Sequence, residues 1–346
     1  MAFIKRYDLG FRKDNVMVIT SPLDSSRHEK FEIFKHSLQR KQYVRSVALG
    51  GLGALPGSNP EMGSATLKTD GKDDVRMVSY NAVDEDYLPS LGIKIIQGRN
   101  FDGRLNDFKN SILVNEALVR MMRWENALAQ QIAWKGGFRN VIGVVKDFHF
   151  LSLYNKVEPQ VIGYHANEVS YVFVVFDEMR FSDQIESIGQ EWNKLFPDEP
   201  FDYSFLDDSV NAQYQNEEKA MRVFTYFSAL TIIISFLGLF GLTSLTVYQR
   251  KKEIGIRKII GAEFFSILVL FAKEYLGLII LSILLVSPVS WFLMKQWLET
   301  FPYRGPMNPF TFIVTPVVVI MISLCTIAFS ISRISTSKPV TLISDN

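Results

Sequence analysis

The run Gln249-Arg250-Lys251-Lys252-Glu253-Ile254-Gly255-Ile256-Arg257-Lys258 sets Arg250, Lys251, Lys252, Arg257 and Lys258 around a single carboxylate, Glu253. It is helix-prone. Ile256, Ile260, Phe264, Ile267 and Phe271 then follow at 4, 4, 3 and 4 spacing and would share one face of a continuous helix, unless Gly261 interrupts it. A basic amphipathic helix of this kind suits the inner surface of a membrane or a groove on a partner protein. The other polar sets do not add up to an enzyme. Glu116, Asp147 and His149 could be imagined as an acid–base set, and the spacing of Asp147 and His149 puts both on one face of a strand, but no nucleophile motif accompanies them. Asp84-Glu85-Asp86 reads as the solvated start of a helix, where carboxylates are favoured, rather than as a cation site. Ala262 follows Gly261 where a nucleotide-binding loop would need Lys, and Gly50-Gly51-Leu52-Gly53 lacks the helix that a dinucleotide fingerprint requires. The single Cys325 excludes an intramolecular disulfide and a Cys-rich zinc site. His28, His36, His149 and His165 leave few metal ligands, so no metal and no cofactor is expected on this chain. With 37 Lys+Arg against 36 Asp+Glu, the formal charge is +1, which argues against a nucleic-acid partner.

The elements around the basic run place it in a membrane protein. Val223–Val247, Tyr275–Met294 and Phe310–Ile331 carry no Asp, Glu, Lys or Arg. A helix of about 20 apolar residues spans the hydrocarbon layer, and backbone in lipid must be helical. The 346-residue chain therefore divides into an extracytoplasmic domain, 1–222, and an all-α membrane domain of three transmembrane helices, 223–346. The basic segment 248–264 outweighs the loop Lys295–Pro309, so the positive-inside rule puts 248–264 and the tail 332–346 in the cytoplasm and 1–222 outside. Tyr248, Trp291 and Trp297 suit the interfacial belts. Ser235, Gly238, Gly241 and Ser244 recur every three residues and offer a close helix-packing face. Pro288 and Pro316 fall inside spans two and three. The spans hold no ionisable side chain of the kind that ion-coupled carriers use.

The first domain reads as mixed α/β. Strand Val16–Thr20, helix His28–Arg40 and strand Val44–Leu49 are followed much later by strand Tyr171–Phe176, helix Asp183–Leu195 and strand Phe201–Leu206. Two β-α-β halves predict a split ferredoxin-like core, about 14–52 and 166–207. The insert, about 53–165, carries β-prone Ala65–Thr69, Val75–Tyr80, Ile93–Ile96 and Asn140–Val145 with a helix over Asn115–Met122, and is expected to form a β-rich subdomain.

Leu237-Gly238-Leu239-Phe240-Gly241-Leu242 and the run Gln249 to Ala262 resemble the signature of FtsX-like permeases, the membrane subunits of MacB-type ABC transporters. Ser287-Pro288, Trp297-Leu298, Phe301-Pro302-Tyr303-Arg304 and Lys338-Pro339-Val340 with Leu342 are similar to later family motifs. Asp8-Leu9-Gly10-Phe11, Val114-Asn115-Glu116 and Ile142-Gly143-Val144-Val145-Lys146-Asp147-Phe148 resemble the MacB-like periplasmic domain. The resemblance implies a bacterial inner-membrane permease subunit, itself not an enzyme. ATP would be bound by a separate cytoplasmic ABC ATPase touching Lys251, Lys252, Glu253, Ile254, Gly255, Ile256, Arg257 and Lys258. ATP hydrolysis would move the periplasmic domain by mechanotransmission, for export or efflux. A second permease copy or the other half of a longer permease, a periplasmic adaptor and an outer-membrane channel are further implied partners. The alternative is a signalling permease that regulates a cell-wall hydrolase. The family repeat has a helix ahead of the periplasmic domain, and Met1-Ala2-Phe3-Ile4-Lys5-Arg6 opens without one. The expectation is therefore the C-terminal part of a longer permease.

Overall fold

Apolar residues three and four apart wind His28–Gln39 into helix α1, whose Phe31, Phe34 and Leu38 are buried. The computed structural model describes residues 8–21, 28–51, 53–57, 61–69, 72–103, 107, 110–134, 137–164, 169–178, 181–299 and 308–335. The motif residues Leu52, Ser58, Asn59, Pro60, Phe301–Arg304, Lys338–Val340 and Leu342, together with Met1–Arg6 and His165, lie outside them. The chain separates into two units, Met1–Asn216 and Glu217–Asn346, each taken by itself below.

In the first unit, α1 joins strand β1 (Val16–Thr20) to β2 (Val44–Gly50). The remaining core strands and helices are β3 (Glu61–Thr69), β4 (Lys72–Val83), α2 (Tyr87–Leu91), β5 (Ile95–Gly98), β6 (Ser111–Asn115), α3 (Glu116–Met122), β7 (Gln131–Trp134), β8 (Gly137–Val145), β9 (Gln160–Tyr164), β10 (Tyr171–Phe176), α4 (Phe181–Leu195), β11 (Tyr203–Phe205) and α5 (Leu206–Ala212). Strands β11, β1, β10 and β2 lie side by side in that order, all antiparallel. This is the order that two interlocked β-α-β halves produce. Helices α1 and α4 bury Phe31, Phe34 and Trp192 against Met17, Ile19, Val47, Val172 and Val174 of the sheet. Trp192 and Phe34 meet edge-on at 5.5 Å, and Trp192 and Phe196 lie 4.5 Å apart.

The insert is more ordered than its sequence suggests. β4 pairs with β3, β3 with β7, β7 with β8, β8 with β6, β6 with β9, and β9 returns to β4. The six strands thus close into a barrel, with β5 added against β8. Val78, Tyr80, Ile112, Val114, Ile132 and Val161 fill it, and Leu118 of α3 packs among them. A Cβ at Gly163 would stand 2.7 Å from the Tyr80 hydroxyl, so the barrel wall is glycine where the Tyr80 ring crosses it. The sequence pattern shows neither β6, β7 nor β9. Ser111–Asn115 is buried at every position, so it lacks the alternation that marks a half-exposed strand.

The second unit holds α6 (Gln215–Gln249), α7 (Lys251–Ile259), α8 (Phe264–Glu299) and α9 (Pro309–Ser335). Three stretches, Glu218–Gln249, Tyr275–Glu299 and Pro309–Phe329, are long and apolar enough to cross a membrane. Pro288 and Pro316 sit inside α8 and α9. Both helices continue through them, as lipid-embedded helices tolerate.

Candidate coupling segment

The polar sets of the first unit are used up in holding the fold. Asn115 caps α3, its Oδ1 accepting from the Leu118 and Gln160 amides at 3.0 and 2.9 Å while its Nδ2 donates to the Glu158 carbonyl at 2.8 Å. Glu116 and Asp147 complete a reciprocal lock. The Asp147 amide donates to Glu116 Oε2 at 2.9 Å, the Ala117 amide donates to Asp147 Oδ1 at 2.8 Å, and Arg120 pairs with Asp147. These bonds tie the start of α3 to the end of β8. Strand β8 stops at Val145, and Asp147 and His149 stand in the following loop rather than on one strand face. Burial lowers the His149 pKa, against the pull of Asp147 and Asp8.

Asp84-Glu85-Asp86 corrects the expectation of a solvated helix start. Helix α2 does begin after Asp86, but Asp84 is buried. It accepts from Lys35 Nζ at 2.8 Å and from the Leu49 amide at 2.7 Å. Asp86 lies 2.7 Å from the same ammonium. Burial pulls the Lys35 pKa down, but the two carboxylates outweigh it and hold the ammonium charged. Burial likewise pushes the Asp84 carboxyl up, against Lys35. Nothing in the sequence marks Lys35 as the buried partner, because it sits among apolar residues of α1 as any solvent-seeking lysine would.

The basic segment is built differently. α6 ends at Gln249, and the backbone runs on through Arg250, whose amide donates to the Thr246 carbonyl at 3.1 Å. α7 then lasts only until Ile259. Gly261 has φ +95°, a left-handed conformation that suits glycine. The Ala262 amide closes the turn on the Arg257 carbonyl at 2.9 Å, the usual way a helix ends on glycine. The continuous face through Ile256, Ile260, Phe264, Ile267 and Phe271 is therefore not formed. The glycine divides it, leaving Ile267 buried on α8 and Ile256 and Ile260 exposed.

Lys252, Glu253, Ile256, Arg257 and Ile259 all face outward, and Ile260 beyond them is 81% exposed. Glu253 bonds Arg257 one turn on at 2.8 Å, and the Lys251 ammonium lies 4.9 Å from the centre of the Tyr248 ring. The Lys258 side chain lies outside the described residues. Ile254 and Gly255 are turned inward instead. In the spans, a Cβ at Gly238 or Gly241 would meet nothing within 4 Å, and Ser235 is exposed with Ser244 half-buried. Within this chain, then, the small-residue stripe leaves Gly238 and Gly241 uncovered. Among the described residues of α6, Thr243 and Val247 are the buried ones. Between α6, α8 and α9 lies a half-open apolar groove of about 660 Å³, lined by Leu242, Tyr275, Ser282, Ser290, Thr311 and Thr315 among others. No group of three or more His, Cys, Asp or Glu able to hold a metal occurs among the described residues. The segment's chemistry is that of a binding surface, with paired charges beside exposed isoleucines.

Residues 225–339 match the family model described as FtsX-like permease C-terminal, which takes in α7, most of the first long apolar stretch and all of the other two. This match supports a permease of the FtsX/MacB type. The permease is 22% identical over 253 residues to the macrolide export ATP-binding/permease protein MacB of Aggregatibacter actinomycetemcomitans, an alignment that takes in 69% of the permease and 37% of that relative. It thus spans well under half the length of the curated relative it matches. Among solved structures, the periplasmic region of MacB from Actinobacillus actinomycetemcomitans has 16% identity and a TM-score of 0.43, covering 62% of the permease and 98% of that chain. The extracellular domain of the noncanonic ABC-type transporter YknZ from Gram-positive bacteria has 18% identity and a TM-score of 0.37, covering 55% and 97%. The family match and the three apolar stretches make this an inner-membrane protein with a periplasmic segment.

Proposed function

We propose that the permease works with a cytoplasmic ABC ATPase and passes the motor's movement through its membrane helices to the periplasmic domain, in the service of export. The observation that carries this reading is α7. It is a short, capped helix between two membrane-length helices, and it turns Lys252, Glu253, Ile256, Arg257 and Ile259 outward. A surface of charges and isoleucines suits a groove on a protein partner, where apolar anchors supply affinity and charges set the register. The excess of Lys and Arg around α7 puts this face in the cytoplasm, with residues 1–222 outside. The curated relative is named as an ATP-binding/permease protein, which fits a permease domain that acts beside an ATPase.

The test is ATPase stimulation in the purified complex of the permease and its ATPase. Reversing both charges of the pair, Glu253→Arg with Arg257→Glu, preserves the pair within α7 but inverts the face shown to the partner. Stimulation is expected to fall with expression unchanged. Full stimulation by that variant would remove the coupling role.

A further inference from the structure

Among the described residues of α7 beyond Lys251, which is half-buried, Ile254 is the only one whose side chain is buried. Gly255 is buried too but has no side chain to press on a neighbour. Ile254, 3% exposed, belongs to an apolar cluster with Val247 of α6, Ile267 and Tyr275 of α8, and Ile327 and Ile331 of α9. One side chain of a nine-residue helix is thus packed into a nucleus supplied by all three long helices. Close packing moves together, because a buried side chain cannot shift without displacing its neighbours. Besides Ile254, α7 is tied by the Lys251 ammonium on the Tyr248 ring and by backbone bonds, through Arg250 at its start and the Gly261 turn at its end. Tyr275 strengthens the same nucleus, donating its hydroxyl to Thr246 Oγ1 at 3.1 Å.

We infer that Ile254 is the positioning residue through which displacement of α7 enters the membrane helices, whereas Lys252, Glu253 and Arg257 only receive the partner. This rests on the coupling reading above and divides the segment into a receiving face and a transmitting side chain. The receiving face sets affinity. Ile254 sets whether affinity becomes movement.

The full-length permease with Cys325→Ser and a spin label on Lys252→Cys tests the anchor without any ATPase. Ile254→Ala should free the label, and Ile254→Val should restore most of its restriction. A label equally restrained in Ile254→Ala overturns the inference. In the unlabelled complex, Ile254→Ala should still bind the ATPase yet lose most of the stimulation, with Ile254→Val recovering it. Binding and stimulation both intact in Ile254→Ala would overturn the inference and leave the coupling reading standing. If the wild-type permease bound no ATPase while Ile254→Ala still freed the label, the coupling reading itself would fail, and the transmitting role with it.

Discussion

The ferredoxin-like core and the membrane unit use the same apolar residue types to opposite ends. In the core, Trp192, Phe31 and Phe34 are wholly buried and pack on strands from two distant parts of the chain. In the membrane unit, Leu284, Leu285 and Phe292 point outward, and burial is confined to a small nucleus around Val247, Ile254 and Ile327. The difference lies in the solvent. Water drives apolar side chains together at about 25 cal/mol per Å² buried, whereas lipid tails offer no such drive and leave helix contact to packing and a few polar bonds. The first unit is therefore specified by its core, and the second by what surrounds it.

The comparison breaks most visibly at Trp192. Trp192→Ala should cost about 3–5 kcal/mol, read as a lower urea midpoint of the first unit by circular dichroism in detergent. Leu284→Ala should leave both units nearly unchanged. An equal loss from both would mean that lipid-facing leucines are packed after all. Next in size is the buried charge. Lys35→Met leaves Asp84 without its counter-ion and should cost about 3–5 kcal/mol, while Lys35→Met with Asp84→Asn should cost less, because the amide oxygen still accepts from Leu49. A double variant as weak as the single one would place the cost in lost packing of the lysine stem.

Asp107 supplies the pH arm. The Arg99 guanidinium, at 2.8 Å from both carboxylate oxygens, holds its pKa well below the ordinary carboxylate range, helped by the Ser111 hydroxyl and the Asp102 amide. A depressed folded pKa gives stability that is present above the unfolded value, about 3.9, and lost as pH falls through the folded one. The first unit should thus weaken below about pH 4, and Asp107→Asn should flatten that fall; an unaltered profile would exclude the pair as its source. The smallest effect is expected at Glu253→Gln. It removes one exposed i,i+4 pair worth about 0.3–0.5 kcal/mol, so helix content should hold while partner affinity drops.

The core was legible in the sequence because its strands and helices alternate with clear periods. Val16–Thr20 and Tyr171–Phe176 are recovered with the bounds read from residues alone. The barrel was legible only as β-rich. Its β6 strand hides in uniform burial, and its closing pairs, Ser79–Val83 with Gln160–Tyr164, join segments some 80 residues apart that no local pattern links. At the coupling segment, the charges were visible, but the inward residue was not. Isoleucines at positions 254, 256, 259 and 260 look alike until Gly261 ends the helix and decides which of them meets the bundle. The Lys35–Asp84 pair was hidden for the same reason, since partners 49 positions apart share no motif.

A ring of strands has no free rim. Each of the six wall strands of the insert is paired with a strand on either side, so among the described strands of the insert it is β5, paired with β8 alone, that leaves an edge for an incoming extended peptide to continue. Away from β5, whatever the insert grips outside the membrane is held by the side chains and loops it displays, and exchange of one such grip for another needs only surface substitutions while the wall itself stays intact.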